Sequence, residues 1–393
     1  MAGAAVTVSR NLSAIVRRKS ELRVLTMTTT TRFATAVSWL LVMLPMQAIA
    51  ETDPAAQRIE ATRSTYHLAG YGFADFVASE SGSSAFTQAS FNPIFHALYD
   101  DTVLFEGELE VTLNEAGGTE VGLEYATVGW LFSENAALVA GRFLSPLGYF
   151  RQNLHPAWIN RFASAPAGFA HDGAAPSGEL GVQLRGGWSV TPIGRINYAL
   201  YVGNGPEFEA GDDGLMAVMT EGVARDLDGS KVSGGRLGWL PVPQIEVGLS
   251  WATGRAAVTS VEGMDIEGDA SRSYRFDGAD VAWRVASSLE LRGEYARQRA
   301  GAAASSVAPA AATWRAWYFQ AAYRPGGRPW ELVGRYGDFT TPEADEAVRQ
   351  TALGVNYWLG SATVIRTAYE FNDPQLDDSE IADRLLLQIA HGF

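Results

Sequence analysis

The chain contains no cysteine and, beyond residue 50, a single lysine, Lys231. Without cysteine there is no disulfide framework, even if the chain is exported to a compartment that would allow one. Only 19% of its residues are charged, and they are predominantly acidic. A strongly acidic chain is a poor partner for nucleic acid. Mean hydropathy is near zero, which taken alone describes an ordinary soluble protein. No apolar run reaches the roughly 20 residues that a membrane-spanning helix needs. The five histidines (His67, His96, His155, His171 and His391) are scattered without metal-ligand spacing, and no Gly-x-Ser-x-Gly is present. The reading is therefore of a protein without catalytic residues, metal or cofactor.

The best apolar run, Ala34–Leu44, follows Arg32 and ends near Ala48-Ile49-Ala50. A charged start, a short apolar stretch and a small-x-small site read as a secretory signal cleaved after Ala50. Met27 is a better-placed start than Met1, since it leaves a short n-region. Residues 1–50 hold six of the 30 basic and one of the 44 acidic residues, so the rest of the chain carries a net charge of −19. Residues 51–65 read as a short N-terminal periplasmic segment and 66–393 as one domain.

From Tyr66 onwards the pattern has a period of two. Val103, Phe105, Gly107, Leu109, Val111 and Leu113 alternate with Leu104, Glu106, Glu108, Glu110 and Thr112. One apolar and one acidic face is what a half-buried strand presents. The pattern recurs about sixteen times to the C-terminus. After the first strand the connections alternate long and short. Outer-membrane barrels have short periplasmic turns, long external loops and an even strand number. A soluble β-sandwich also alternates, but has no reason to alternate its loop lengths. The expected fold is all-β: a transmembrane antiparallel β-barrel of about sixteen strands with an inward-folded third external loop. Trp130, Trp188, Trp239, Trp283, Trp330, Tyr357 and Trp358 lie beside the short turns, as an aromatic girdle would. The final strand places Leu385, Leu387, Ile389, His391 and Phe393 on one face. That C-terminal pattern, Leu387, Ile389, His391 and Phe393 above all, resembles the signal read by outer-membrane barrel-assembly machinery.

The exception to alternation is GRFLSPLGYFRQNLHPAWINRFASAPAGFAHDGAAPSGE, Gly141–Glu179. A loop this long in a compact domain is functional or disordered. Trp158, Ile159, Phe162 and Phe169 argue against disorder. We expect residues 144–178 to fold into the lumen and narrow it; an external loop packed on itself is the alternative. Arg142, Arg151, His155 and Arg161 would then line the constriction, facing the wall residues Glu106, Glu108, Glu110 and Arg185. Guanidinium forks suit phosphate or carboxylate ligands. The bland reading is that they pair with wall carboxylates and pin the loop. Alternation assigns Arg142, Arg185, Arg195, Arg236, Arg284, Arg292, Arg335, Arg366 and Arg384 to the lumen. It also assigns Glu106, Glu108, Glu110, Glu124, Glu179, Glu246, Glu290, Glu294, Glu331 and Glu370 there. The near balance gives no strong selectivity by count.

Two segments carry a family likeness. GVNYWLGSATVIRTAYEF followed by DRLLLQIAHGF is similar to the closing strands of the phosphate-selective porin O and P family. The block from Phe91-Asn92-Pro93-Ile94-Phe95-His96 through GRFLSPLGYF and HPAWIN resembles a proteobacterial branch of porin-like barrels. The resemblance implies a sixteen-stranded, trimeric barrel in the outer membrane with an inward third loop. The chain departs from the phosphate-selective members in lacking their lysines, which leaves the anion open. The expected function is passive diffusion of small hydrophilic solutes or ions, anions such as phosphate among them. A closed structural or adhesion barrel acting through its external loops, or a barrel enzyme, are the alternatives. The acid-rich patches at Gly211–Gly214 and Asp373–Glu380 read as solvated loops. Expected partners are outer-membrane lipid and lipopolysaccharide, the assembly machinery, further copies of the chain and the solutes.

Overall fold

The chain is described from a computed structural model. It describes residues 64–393 apart from 83, 114–116, 172, 213, 221–225, 227, 344–345, 377–378 and 380. The expected signal over residues 1–50, the start at Met27 and nearly all of the 51–65 segment lie outside the described residues.

In chain order the strands are β1 (Ser64–Ser79), β2 (Ala85–Tyr99), β3 (Val103–Leu113), β4 (Thr119–Ser133), β5 (Ala136–Leu144), β6 (Gly178–Val190) and β7 (Gly194–Gly203). There follow β8 (Glu207–Gly211), β9 (Gly214–Met219), β10 (Val232–Val242), β11 (Ile245–Ala256), β12 (Val258–Val261), β13 (Met264–Asp265) and β14 (Arg272–Ala286). The last six are β15 (Leu289–Ala300), β16 (Ala312–Tyr323), β17 (Trp330–Thr340), β18 (Val348–Trp358), β19 (Thr363–Pro374) and β20 (Arg384–Gly392). One short helix, α1 (Phe150–Leu154), lies between β5 and β6. Sixteen strands, all but β8, β9, β12 and β13, close into an antiparallel barrel in sequence order. The ring is sealed by β1 against β20, from Tyr71 opposite Gly392 to Ser79 opposite Arg384.

The barrel is apolar outside and polar inside. Leu68, Leu249, Leu332 and Leu353 are exposed, while Glu108, Arg236, Gln298 and Arg366 are buried. A water-soluble sandwich would bury the first set and expose the second. Closure leaves no open edge, the condition for strands to cross hydrocarbon. The fold is that of an outer-membrane β-barrel.

Short turns hold one end together. Asp100 and Asp101 both adopt positive φ (51° and 52°), reversing the chain between β2 and β3 in the hairpin geometry that matches strand twist. Trp130, Trp188, Trp239, Trp283 and Trp330 stand exposed on the outer face near this end. Trp358 does not join them. It shares the inner face with Asn356, packs on Val364 and Ala390, and lies beneath the guanidinium of Arg161 at 5.9 Å. The strand ends where the parity turns inward, so proximity to a turn did not settle its face.

At the C-terminus, Leu387 and Ile389 are exposed outward, and His391 Nδ1 lies 2.7 Å from Thr363 Oγ1. The ring of Phe393 stacks on Phe91 with centroids 5.7 Å apart, and its carbonyl accepts the Gly70 N–H at 3.1 Å. A Cβ at Gly70 would meet the Phe393 ring at 2.6 Å, so a glycine there gives the terminal aromatic its seat.

The long connections are less loop-like than their composition suggests. β8, β9, β12 and β13 form a separate four-stranded sheet, with β8 and β12 parallel. Its apolar residues Phe208, Val218 and Val258 are buried in one cluster with Tyr201, Tyr274, Phe276 and Trp314 of the inner wall. Phe208 stacks on Trp314 at 5.9 Å. The acid-rich patch at Gly211–Gly214 is the turn between β8 and β9, with Asp212 exposed, and the flanking strands alternate over only five or six residues, too few to stand out in the sequence.

Candidate functional site in the barrel lumen

The segment from Ser145 to Ser177 lies along the inner faces of the barrel strands. Phe162 is fully buried against Ala322, Val333, Ala352 and Ala368. Phe150 and Phe169 meet Tyr318 edge-on at 6.4 and 5.0 Å. Ala157 and Trp158 pack against Tyr71 and Ile94 on the opposite side. The segment thus touches both sides of the ring. Its aromatics, which made disorder improbable from sequence, are what seat it.

Wall side chains fix its backbone. Arg366 donates to the carbonyls of Trp158 (3.1 Å) and Asn160 (2.5 Å), and to Gln388 Oε1 (2.5 Å). Arg335 donates to Ser164 O at 3.0 Å and Ser164 Oγ at 2.8 Å, pairs with Glu370 at 3.2 Å, and covers the Phe162 ring at 4.5 Å. Asn356 donates to Arg161 O at 3.0 Å, and Gln298 to Gly173 O at 2.9 Å. Glu294 accepts the N–H groups of Tyr149 (3.1 Å) and Phe150 (2.9 Å) at the start of α1. Gly148 permits that approach: its φ is +85°, and a Cβ would fall 1.8 Å from Glu294 Oε1. Buried backbone groups of an irregular segment need such partners, and each one left unmade costs about 1–3 kcal/mol.

The opposite wall is acidic. Glu106, Glu108 and Glu110 point inward from β3, with Glu124 beside them on β4. Glu108 is buried, accepting the Tyr71 hydroxyl at 2.8 Å and facing His155 Nε2 at 3.5 Å. His155 Nδ1 lies 2.9 Å from Arg151 O. Burial disfavours the charged imidazolium, but contact with Glu108 outweighs it and holds His155 above the ordinary histidine range. Glu106 accepts from Arg185 at 3.1 Å and lies 3.8 Å from His96. Glu106 and Glu110 are partly buried, the Glu106 side chain keeping 16% exposure and that of Arg185 33%.

The residues singled out from sequence divide accordingly. Glu106, Glu108, Glu110 and Arg185 share the acidic wall, with His155 against it. Arg151 closes the loop on itself: its Nε donates to Ser177 O at 3.3 Å and its Nη2 sits 3.1 Å from the His171 ring. Arg161 reaches Glu331 at 3.5 Å and Glu290 at 4.0 Å, so it pairs with wall carboxylates other than the expected Glu106 and Glu108. Arg142 does not line the lumen. Its register partners are Ala126 and Leu180, on the face of the exposed Leu138 and Val182, while its neighbour Phe143 points inward to Tyr201. Both faces of β5 are apolar, Leu138 and Ala140 on one and Val139 and Phe143 on the other, so alternation alone did not fix which of them carries Arg142. The clamping roles of Arg335, Arg366 and Glu294 were not foreseen. Their inward parity was readable; their loop partners, more than a hundred residues away, were not.

No protein-family model matches the chain, and no curated protein matches it. Solved structures do match in fold. An outer-membrane protein of Vibrio cholerae, OmpT lacking loop L8, superposes with a TM-score of 0.58 at 13% identity, over 84% of this chain and 99% of that one. Salmonella typhi OmpF in complex with daunomycin gives 0.55 at 13% identity, over 84% and 98%. An anion-selective porin from Comamonas acidovorans gives 0.55 at 14% identity, over 84% and 100%. The fold is porin-like; at these identities the likeness extends no further.

Proposed function

We propose that the protein is an outer-membrane porin through which small hydrophilic solutes diffuse passively. The observation that carries this is the asymmetry of the lumen. The segment 145–177 is hydrogen-bonded to the inner face of β17 and β19, while the carboxylates Glu106 and Glu110 opposite are only partly buried. The segment acts as the constriction, and solutes pass between it and the acidic wall. No cofactor or energy source enters this mechanism. Rings of one sign bias ion flow, so the partly buried acids, one of them already shared with Arg185, give a weak preference for cations. A phosphate path is not favoured, because Arg151 and Arg161 are already engaged within the loop and with Glu331 and Glu290. On this reading the outward face of β20, ending in Phe393, serves assembly, and the chain associates as a homotrimer in lipopolysaccharide-bearing membrane. A second reading, a closed barrel acting through its outer loops, draws support from the apolar cluster of Phe208 and Trp314 that fills part of the lumen.

Single-channel recording of the folded protein in a planar bilayer separates them. Discrete open steps with a reversal potential of weak cation preference in a KCl gradient are expected. Anion selectivity blocked by phosphate would restore the anion reading, and silence from a verified folded barrel would favour the closed one.

A further inference from the structure

The outer face of β14, β15 and β16 changes character along its length. Val281 and Phe319, in one row with Gly293 between them, face outward in the middle of the wall. One step towards the long loops come Tyr295 and Trp317, joined by Tyr336, whose ring meets Trp317 edge-on at 5.5 Å. Tyrosine and tryptophan at this position mark the boundary between hydrocarbon and headgroups. The next tier is arginine: Arg297 opposite Arg315 and Asp277, with Arg275 opposite Arg299 beyond it.

This tier is under-neutralised. Asp277 accepts from Arg275 (2.9 Å), Arg297 (3.2 Å) and Arg299 (2.5 Å). Arg315 is bonded to the Thr340 hydroxyl at 3.3 Å. Three guanidiniums thus share the one carboxylate of Asp277, and Arg315, across from Arg297, reaches a second carboxylate, Asp338, only through the Thr340 hydroxyl. The Nε groups of Arg297 and Arg299 find no acceptor among the described residues, and the Arg275 side chain is 63% exposed. On the next strands the balance reverses, since Arg349 lies between Asp338 (3.7 Å) and Asp373 (3.6 Å).

We propose that Arg275, Arg297, Arg299 and Arg315 form a binding site for the phosphate groups of a membrane lipid headgroup. Guanidinium forks bind phosphate bidentately with charge-assisted hydrogen bonds. The site begins one outward position beyond the aromatic row, at Arg297 and Arg315, and extends a second to Arg275 and Arg299, which suits headgroup phosphates rather than acyl chains. It lies on the lipid-facing side of the wall, so it acts independently of conduction through the lumen. Asp277 holds the arginines together until a phosphate joins them.

The test is native mass spectrometry of the folded protein in detergent, with a bisphosphorylated lipid A, its dephosphorylated form and inorganic phosphate as separate probes. The wild type is expected to retain the phosphorylated lipid and not the dephosphorylated one. The pair Arg297→Gln and Arg299→Gln is expected to weaken retention about tenfold, and Asp277→Asn to strengthen it. Arg349→Gln, whose charge is already matched, serves as the control and leaves retention unchanged. Folding of each variant is verified by its heat-dependent gel shift. Equal retention by wild type and the double variant, or equal binding of the dephosphorylated lipid, would overturn the proposal. Displacement of the lipid by millimolar inorganic phosphate would equally overturn it, by assigning the site to the free anion.

Discussion

The two sides of the lumen hold the crossing segment in different ways. On β17–β19 the arginines grip main chain: Arg366 and Arg335 take the carbonyls of Trp158, Asn160 and Ser164. On β3 the acids meet the loop side chain to side chain, as His155 does against Glu108. Main-chain carbonyls persist whatever the loop sequence and are unaffected by pH, whereas an imidazole–carboxylate contact depends on both. The buried arginines are therefore fastenings rather than solute contacts. Charges that solutes can meet must be sought among Glu106, Glu110 and Arg185.

The most damaging way to break this contrast is to release the arginine side. Arg366→Met leaves two loop carbonyls and Gln388 without their donor. A loss of about 3–5 kcal/mol is expected, read by denaturant unfolding in detergent, together with larger and noisier open-channel currents. Phe162→Ala removes the ring beneath Arg335 and opens a cavity against Ala322 and Val333. It should cost about 3 kcal/mol and raise current noise without changing ion preference. Glu106→Gln with Glu110→Gln should do the reverse. Stability holds, while the cation-over-anion permeability ratio falls about two- to threefold in the reversal-potential measurement. The smallest effect is that of pH. His155 has a raised value in the folded protein, so its contribution is complete below about pH 6.5, the unfolded histidine value. It is lost as pH climbs through the elevated native value. Current noise should therefore grow on the alkaline side, and His155→Gln should abolish that dependence.

Much of the barrel was legible because period-two alternation is local. Val103 to Leu113 declares both faces of β3 without reference to any other strand. Alternating loop lengths then order the strands, and the barrel is their only edge-free closure. The site was legible in part. Glu106, Glu108, Glu110 and Arg185 follow from parity, but Arg142 does not, because β5 is apolar on both faces and its alternation has no polar side to anchor it. Trp358 failed for a related reason: distance from a turn gives depth, not face. What Arg366 and Arg335 do is invisible locally, since their partners lie in the loop near residue 160. The β8–β12 pairing joins two different long connections, and no spacing within either run encodes it.

The central claim is that the segment 145–177 is fixed to the arginine-bearing wall and that solutes pass along the acidic one. A chain without cysteine allows a direct test. Single cysteines are introduced at Glu110, on the acidic wall, and at Val333, beneath Phe162, and a bulky charged thiol reagent is added during single-channel recording. The account expects stepwise reduction of current for Glu110→Cys and no change for Val333→Cys. Block through position 333 with none through position 110 would place the path on the other side of the loop and contradict it.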